Sequence, residues 1–381
     1  GCARRYAGED PRNYSWARVM RSAQDSLQEA QRLHQYFQAL GAQDAQVQVL
    51  QPAEILLDLY GEDIRSRAYV TPDPLRGDMV LRPDFTVPVV QQHMANALMP
   101  ARYTYSGKVF RMQESDALRP NEYIQVGYEL FEQGDPAVAD AEVFLAIAKA
   151  LSDLPLRIAT GDINLLSAAV RGLNTTAARK AALMRHLWRP QRFRALLKRF
   201  ASASADRKAQ KQKLFTSDPF AQCGPQIGLR GKGEIEHRIQ ALRHEAETPA
   251  LSETEVDLLE ALLKIKESCP YALAQLRDLV VDMPAISTAV EGFSRRLNAL
   301  DAKGVDVSSL AFETSYGRSS MEYYDGFVFG FYAQNGQNGL SAIASGGRYD
   351  ALTKQLGKGV TMPAVGGVIR PDLVVALRGA A

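Results

Sequence analysis

The sequence predicts an α+β protein: one largely antiparallel sheet, flanked by helices and built from both ends of the chain, with a long helical insertion between them. Three observations carry this expectation. Strand-like runs cluster before residue 132 and return after residue 309, whereas the stretch between about 163 and 300 has almost no strand signal. Two of the early runs flank a polar segment, as the arms of a hairpin do. The composition, 46% hydrophobic and 23% charged over 381 residues, suits a soluble protein with one large core and a smaller satellite.

Each element has a local reason. Residues 1–15 are polar and are expected to be flexible. Trp16 to Leu40 carries Met20, Leu27, Leu33, Phe37 and Leu40 at helical intervals and stops at Gly41, a helix-ending glycine. Ala45 to Leu50 alternates like a strand, closed by Pro52. Strands are expected at Met79–Arg82, Tyr103–Tyr105, Lys108–Met112 and Glu122–Phe131, the last two joined by a polar tip from Gln113 to Asn121. Ala137 to Ser152 is alanine-rich and apolar at helical spacing. Strands return at Leu310–Thr314, Tyr323–Tyr324, Phe327–Tyr332 and Leu340–Ala344. A Gly-rich turn, a short helix over Ala351–Leu356 and a strand-to-helix unit over Ala364–Leu377 follow. The expected division is thus 16–162 with 301–381 as the sheet domain, and 163–300 as the insertion.

Charge and cysteine usage narrow the function classes. Forty-five Lys and Arg against forty-three Asp and Glu leave +2, so there is no sequence-independent pull toward nucleic acid or anionic lipid, and neither is expected as a partner. Inside the insertion the balance is uneven. The basic stretch from Arg171 to Lys213 contains one acid, Asp206, whereas Glu234 to Glu260 is acid-rich. Two readings stay open, solvated helix faces that offset each other, which is preferred, or a docking surface. Cys2, Cys223 and Cys269 lack paired spacing, and no apolar run approaches the roughly 20 residues of a membrane span, so a reducing, cytoplasmic setting is expected. No Walker-type phosphate loop, His-Glu-x-x-His or dinucleotide fingerprint occurs, and His237 and His244 have no third partner in sequence, so neither cofactor nor metal is expected.

Four segments are more specific as an ordered set: Leu81-Arg-Pro-Asp-Phe-Thr86; Val109-Phe-Arg-Met112 followed by Asn121-Glu-Tyr-Ile-Gln-Val-Gly-Tyr-Glu129; Glu322-Tyr-Tyr-Asp-Gly-Phe-Val-Phe329; and Ser345-Gly-Gly-Arg-Tyr-Asp-Ala-Leu352. Together they resemble the catalytic domain of histidyl-tRNA synthetase, a class II aminoacyl-tRNA synthetase. The resemblance implies the class II sheet and a histidine pocket. In it Asp84 (glutamate in the family), Thr86 and Gln125 would hold an ammonium group. Glu129 and Tyr324 would bond the imidazole, Tyr323 would wall the pocket, and Arg111 matches the family's arginine for the α-phosphate. An ammonium needs acceptors and an imidazole needs a partner on each nitrogen, so these residue types fit the ligand.

The departures from the family shape the expected function. Adenylation needs cations on the departing pyrophosphate. The arginine that the resemblance places four residues before the tyrosine pair falls on Ser319, and neighbouring Arg318, read as strand, would point to the opposite face. The last family arginine aligns with Leu373, and the sequence stops eight residues later, without the family's anticodon-binding domain. A histidine pocket of this kind resembles the regulatory subunits of ATP phosphoribosyltransferase. That resemblance implies no catalytic residues of its own, activation of a short-form catalytic subunit, and histidine feedback in the first step of histidine biosynthesis. It also implies a homodimer core, around Pro52, within a hetero-octamer, with L-histidine as effector. The segment Gln113–Asn121 and the Gly346–Asp350 turn would be the mobile parts. The alternatives are a tRNA-independent amino-acid-activating ligase and a synthetase-like RNA-sensing module.

Overall fold

The computed structural model describes residues 16–54, 59, 61–96, 99–112, 120–202, 220, 224–225, 227–318, 322–334 and 342–379. Among the described residues there are twelve strands: β1 (Gln43–Asp44), β2 (Leu50–Pro52), β3 (Val70–Asp73), β4 (Gly77–Leu81), β5 (Ala101–Phe110), β6 (Glu122–Phe131), β7 (Leu156–Asp162), β8 (Lys266–Ser268), β9 (Ala311–Glu313), β10 (Phe327–Ala333), β11 (Ala344–Arg348) and β12 (Ala364–Ile369). Nine of them form one sheet in the order β1-β5-β6-β12-β11-β10-β7-β9-β8, and β2-β4-β3 form a second. Among the described strands, only the β1–β5 and β7–β9 pairings are parallel.

Strand β6 explains why the large sheet has two different faces. Its side chains alternate across the sheet. Ile124, Val126, Tyr128 and Leu130 join the core under the helices, whereas Tyr123 and Phe131 join the core on the other side. Gln125 and Glu129 share the register of Tyr123 and Phe131, so they belong to that second face. The helices Trp16–Ala39, Pro136–Ala150, Ser287–Ala302 and Pro371–Arg378 cover the first face, burying Phe37, Phe144, Ile147, Phe293 and Val374. The helix Thr86–Asn96 packs on the second, through Val87 and Val90.

The first helix ends as its sequence dictates, with Gly41 in the left-handed region at φ 89°. The helix Pro136–Ala150 begins with proline and is capped by Asp135, which accepts from the Ala137 amide at 2.9 Å. Among the described residues between 163 and 302 the regular elements are helices apart from β8, and the helix Glu253–Lys264 starts with a reciprocal Ser252–Glu255 capping box. Within the basic stretch, one arginine is turned inward. Arg179 is 5% exposed and grips Glu245 through two bonds of 2.8 and 3.0 Å.

Buried ion pairs tie this helical region to the sheet. Arg296, on the helix Ser287–Ala302, reaches Asp140 at 3.0 Å and also bonds Asp162 at the end of β7. Asp140 in turn accepts from Arg348 of β11 at 2.8 Å, and Arg348 pairs with Asp350 at 3.0 Å.

Several local expectations differ from the structure. Ala45–Leu50 is not a ladder strand: the chain leaves the large sheet after β1 and joins the small one at β2. Its intervening groups bond singly, the Ala45 amide to Thr104 O at 2.8 Å and Val49 O to the Arg82 amide at 2.9 Å. Tyr103–Tyr105 and Lys108–Met112 are one strand, β5, because Ser106-Gly107 continues the ladder opposite Val126 and Gln125. Tyr323–Tyr324 lies in a turn, not a strand. The expected turn at Ser345–Arg348 is β11, whose glycines let neighbouring strands close in: a Cβ on Gly346 would fall 2.3 Å from Gly366 O. The Gly346–Asp350 segment is therefore not a loop. Leu340 and Gln113–Arg119 lie outside the described residues, and so does Ser319.

Candidate functional site

The second face of the sheet carries a buried cluster organised around Glu129. This carboxylate is 1% exposed and accepts three hydroxyl bonds: from Thr86 at 2.9 Å and Tyr105 at 2.9 Å on one oxygen, and from Tyr349 at 2.6 Å on the other. Its neighbours make room for it. Gly366 lies directly opposite on β12, and Gly127 lies opposite Tyr105. A Cβ on Gly127 would fall 2.1 Å from the Tyr105 ring. Asp84, 1% exposed, accepts from the Tyr323 hydroxyl at 3.2 Å, and the Tyr323 ring meets those of Tyr324 and Tyr349 edge to face.

Beside the cluster opens a cavity of about 440 Å³. Arg111, Gln125 and Tyr324 line it, together with Arg67, Tyr123, Glu313, Tyr316, Tyr332 and Arg370. Gln125 is 3% exposed, and its carbonyl oxygen meets no donor among the described residues. Arg111 is fixed from behind by donating from Nε to Pro83 O at 2.7 Å. Arg370 pairs with Asp372 at 2.7 Å and lies 4.1 Å over the Tyr123 ring.

Of the seven residues expected from sequence, the structure puts Arg111, Gln125 and Tyr324 on the cavity wall. Asp84, Thr86, Glu129 and Tyr323 are gathered in the buried cluster, where Thr86 bonds to Glu129 and Tyr323 to Asp84. Tyr105, Tyr349, Arg67 and Arg370 belong to the same region without having been singled out. Tyr349 was visible inside the Ser345–Leu352 motif. Arg370 stands three residues before Leu373, the position that the resemblance matches to the family's last arginine, and Leu373 packs against the helix-side core. Arg318 does turn from the cavity, though from a turn and not a strand. It is 2% exposed, donates to Leu187 O at 2.6 Å and lies over Phe193, and burial lowers its pKa to about 10.

Burial dominates the electrostatics. It raises the Glu129 carboxyl from 4.5 to about 7 against the opposing pull of its three hydroxyl donors, with the nearby Asp84 charge adding a little. It also pushes the Tyr324 phenol well up, helped by the charges of Glu129 and Asp84. The sign of the stability effect follows. Between 4.5 and about 7 the folded chain holds a proton that the unfolded chain has lost, so this contribution is complete below 4.5 and is lost as pH rises through 7. Relative to Glu129→Gln, the unsubstituted chain is expected to lose about 3 kcal/mol between pH 4.5 and 8. Urea unfolding of both proteins across that range measures it; parallel pH profiles would show that Glu129 stays ionised when buried.

Comparison with known proteins shows what the chain as a whole is similar to. The histidyl-tRNA synthetase family description matches residues 20–217 and 236–374. A Brucella ovis protein named ATP phosphoribosyltransferase regulatory subunit is 31% identical over 371 residues, spanning 89% of this chain and 94% of that one. Its Brucella abortus counterpart, with the same name, is also 31% identical, with 89% and 93% covered. Among solved structures, an ATP phosphoribosyltransferase regulatory subunit/histidyl-tRNA synthetase from Bacillus halodurans superposes with a TM-score of 0.65 at 19% identity, over 99% of this chain and 83% of that one. A histidine–tRNA ligase subunit from Alicyclobacillus acidocaldarius gives 0.59 at 21% identity, over 100% and 98%. These two likenesses establish the class II synthetase-like fold. No helix among the described residues is long and apolar enough to cross a membrane. With its sequence relatives matched over most of both chains, the protein belongs to the family of ATP phosphoribosyltransferase regulatory subunits, a histidyl-tRNA synthetase-like family with a regulatory role.

Proposed function

We propose that this chain activates a short-form ATP phosphoribosyltransferase catalytic subunit and transmits histidine feedback to it, at the first step of L-histidine biosynthesis in the cytoplasm. The observation that carries the reading is the cavity of about 440 Å³ walled by Arg111, Gln125 and Tyr324, present in a chain whose relatives are named as regulatory subunits. Asp84, Thr86, Glu129 and Tyr323 form the buried support behind that wall. The chain does not catalyse a reaction by itself. Leu373, where the synthetase resemblance expects a phosphate-binding arginine, packs against the helix-side core instead. Feedback requires that histidine bind one arrangement of the complex more tightly than another, typically by about 1–3 kcal/mol.

The working assembly is a homodimer of this chain within a hetero-octamer with catalytic subunits. Residues 16–162 and 301–381 make the synthetase-like body, and residues 163–300 a helical insertion upon it. The test is reconstitution. Mixed with a purified short catalytic subunit, the chain is expected to raise the rate of joining ATP to phosphoribosyl pyrophosphate at least tenfold, and L-histidine to suppress the gain. No change in rate would reject activation; histidine-dependent ATP–pyrophosphate exchange by the chain alone would establish the ligase alternative.

A further inference from the structure

The turn that carries Tyr323 and Tyr324 is held in place by two neighbouring acids. Asp325, the next residue, accepts from the Asp350 amide at 3.1 Å and from the Ala351 amide at 2.7 Å. Its own amide donates to Arg348 O at 3.0 Å, and Gly326 O accepts from the Ile163 amide at 2.9 Å. The Asp350 carboxylate, at the start of the helix Asp350–Leu356, accepts from the Ala364 amide at 2.8 Å and from Arg348 at 3.0 Å. Tyr324 is thereby kept on the cavity wall, beside Gly347 of β11.

The charges packed around this turn do not balance. Arg296 of the helix Ser287–Ala302 serves Asp162 of β7 and Asp140 of the helix Pro136–Ala150, while Arg348 of β11 serves Asp140 and Asp350. Asp325 bonds to neither guanidinium and has only the two amides, so four carboxylates share two cations. Arg348 has little left to give, since Pro136 O takes a further bond from it. A half-buried carboxylate beside a like charge is better off protonated. Burial and the Asp350 charge indeed raise the Asp325 carboxyl from 3.8 to about 7, against the pull of the two amides and of Arg348.

We propose that Asp325 and Asp350 form a proton-operated latch on the cavity wall. With a proton on Asp325 the turn closes on β11 and the helix Asp350–Leu356. Without it, repulsion from Asp350 prises the turn, and Tyr324 with it, away from the cavity. The sign follows from linkage. Between 3.8 and about 7 the closed turn holds a proton that the open turn has lost, so the advantage of closure is complete below 3.8 and is lost as pH rises through 7. The latch concerns the turn itself, whatever the cavity binds.

Hydrogen–deuterium exchange of the full chain, read by mass spectrometry and corrected for the intrinsic pH dependence of amide exchange, tests it. The reporters are the Asp325, Asp350 and Ala351 amides, all bonded across the latch. Their protection is expected to fall at least tenfold from pH 5 to pH 7 and to level off above that. Asp325→Asn, which keeps an acceptor but cannot ionise, is expected to abolish the fall. Glu129→Gln, at the other carboxyl raised to about 7, is expected to leave it in place. Protection that does not change with pH in the unsubstituted chain overturns the proposal, and so does a fall that persists in Asp325→Asn or disappears in Glu129→Gln. If Asp325→Asn does not fold, Asp350→Asn decides: removing the opposing charge is expected to shrink the fall at least threefold, and an undiminished fall overturns the latch.

Discussion

Gly366→Ala is expected to cost about 3 kcal/mol or more of stability, an unusually large loss for one methyl group. The added Cβ would stand 1.4 Å from Oε2 and 2.5 Å from the carboxyl carbon of Glu129. Neither partner can step aside cheaply. β12 is clamped between β6 and β11, and the carboxylate is tethered by Thr86, Tyr105 and Tyr349. Ejecting the carboxylate would leave buried tyrosine hydroxyls without their acceptor, at about 1–3 kcal/mol each. Urea denaturation at pH 7 measures the loss. Gly366→Ala combined with Glu129→Ala should lose less than the two changes added together, because the collision is then absent. A loss under about 1 kcal/mol for Gly366→Ala alone would mean that Glu129 has another place to go.

The second large effect is expected at Arg296. Arg296→Met keeps much of the side chain's bulk but leaves Asp140 and Asp162 facing each other in the interior, since all three residues are about 5% exposed or less. Removing one partner of a buried ionic group typically costs about 3–5 kcal/mol, because the remaining charge is left uncompensated. Adding Asp162→Asn to Arg296→Met should recover part of the loss, as Asp140 retains Arg348. Equal stability of the single and double variants would show that the carboxylates are satisfied without Arg296. The network also spans the molecule. It joins the helix Ser287–Ala302 to β7 and β11, and Ser345 and Gly346 of β11 line the cavity.

How much of this was legible in the sequence depended on whether the cause was local. The helix Trp16–Ala39 and its glycine stop, the capped helix at Pro136 and the alternating β6 carry their reasons within a few residues. β7 was missed because Leu156–Asp162 has little alternation of its own and is fixed by pairing with β10 and β9. β11 was read as a turn because its glycines are there for close approach between strands, a need set by residues far along the chain. At the site, the ordered motifs pick out seven residues that the structure gathers on the cavity wall and in the buried cluster beside it. They could not show that Glu129 would be shared among three hydroxyls, or that Arg370 would stand over Tyr123. Those facts depend on which strands become neighbours, and β6 and β12 are separated by more than two hundred residues of chain.

That separation has a consequence for how the protein comes into being. The strand that closes the centre of the sheet, β12, leaves the ribosome after all the other described strands. Until it does, β6 offers a bare, apolar edge to the surrounding cell, and such edges invite pairing with the wrong chain. Glu129 waits beside that gap, its last hydroxyl donor, Tyr349, also still to be made. The cluster around Glu129 therefore assembles only once Tyr349 has been made and β12 slots between its neighbours.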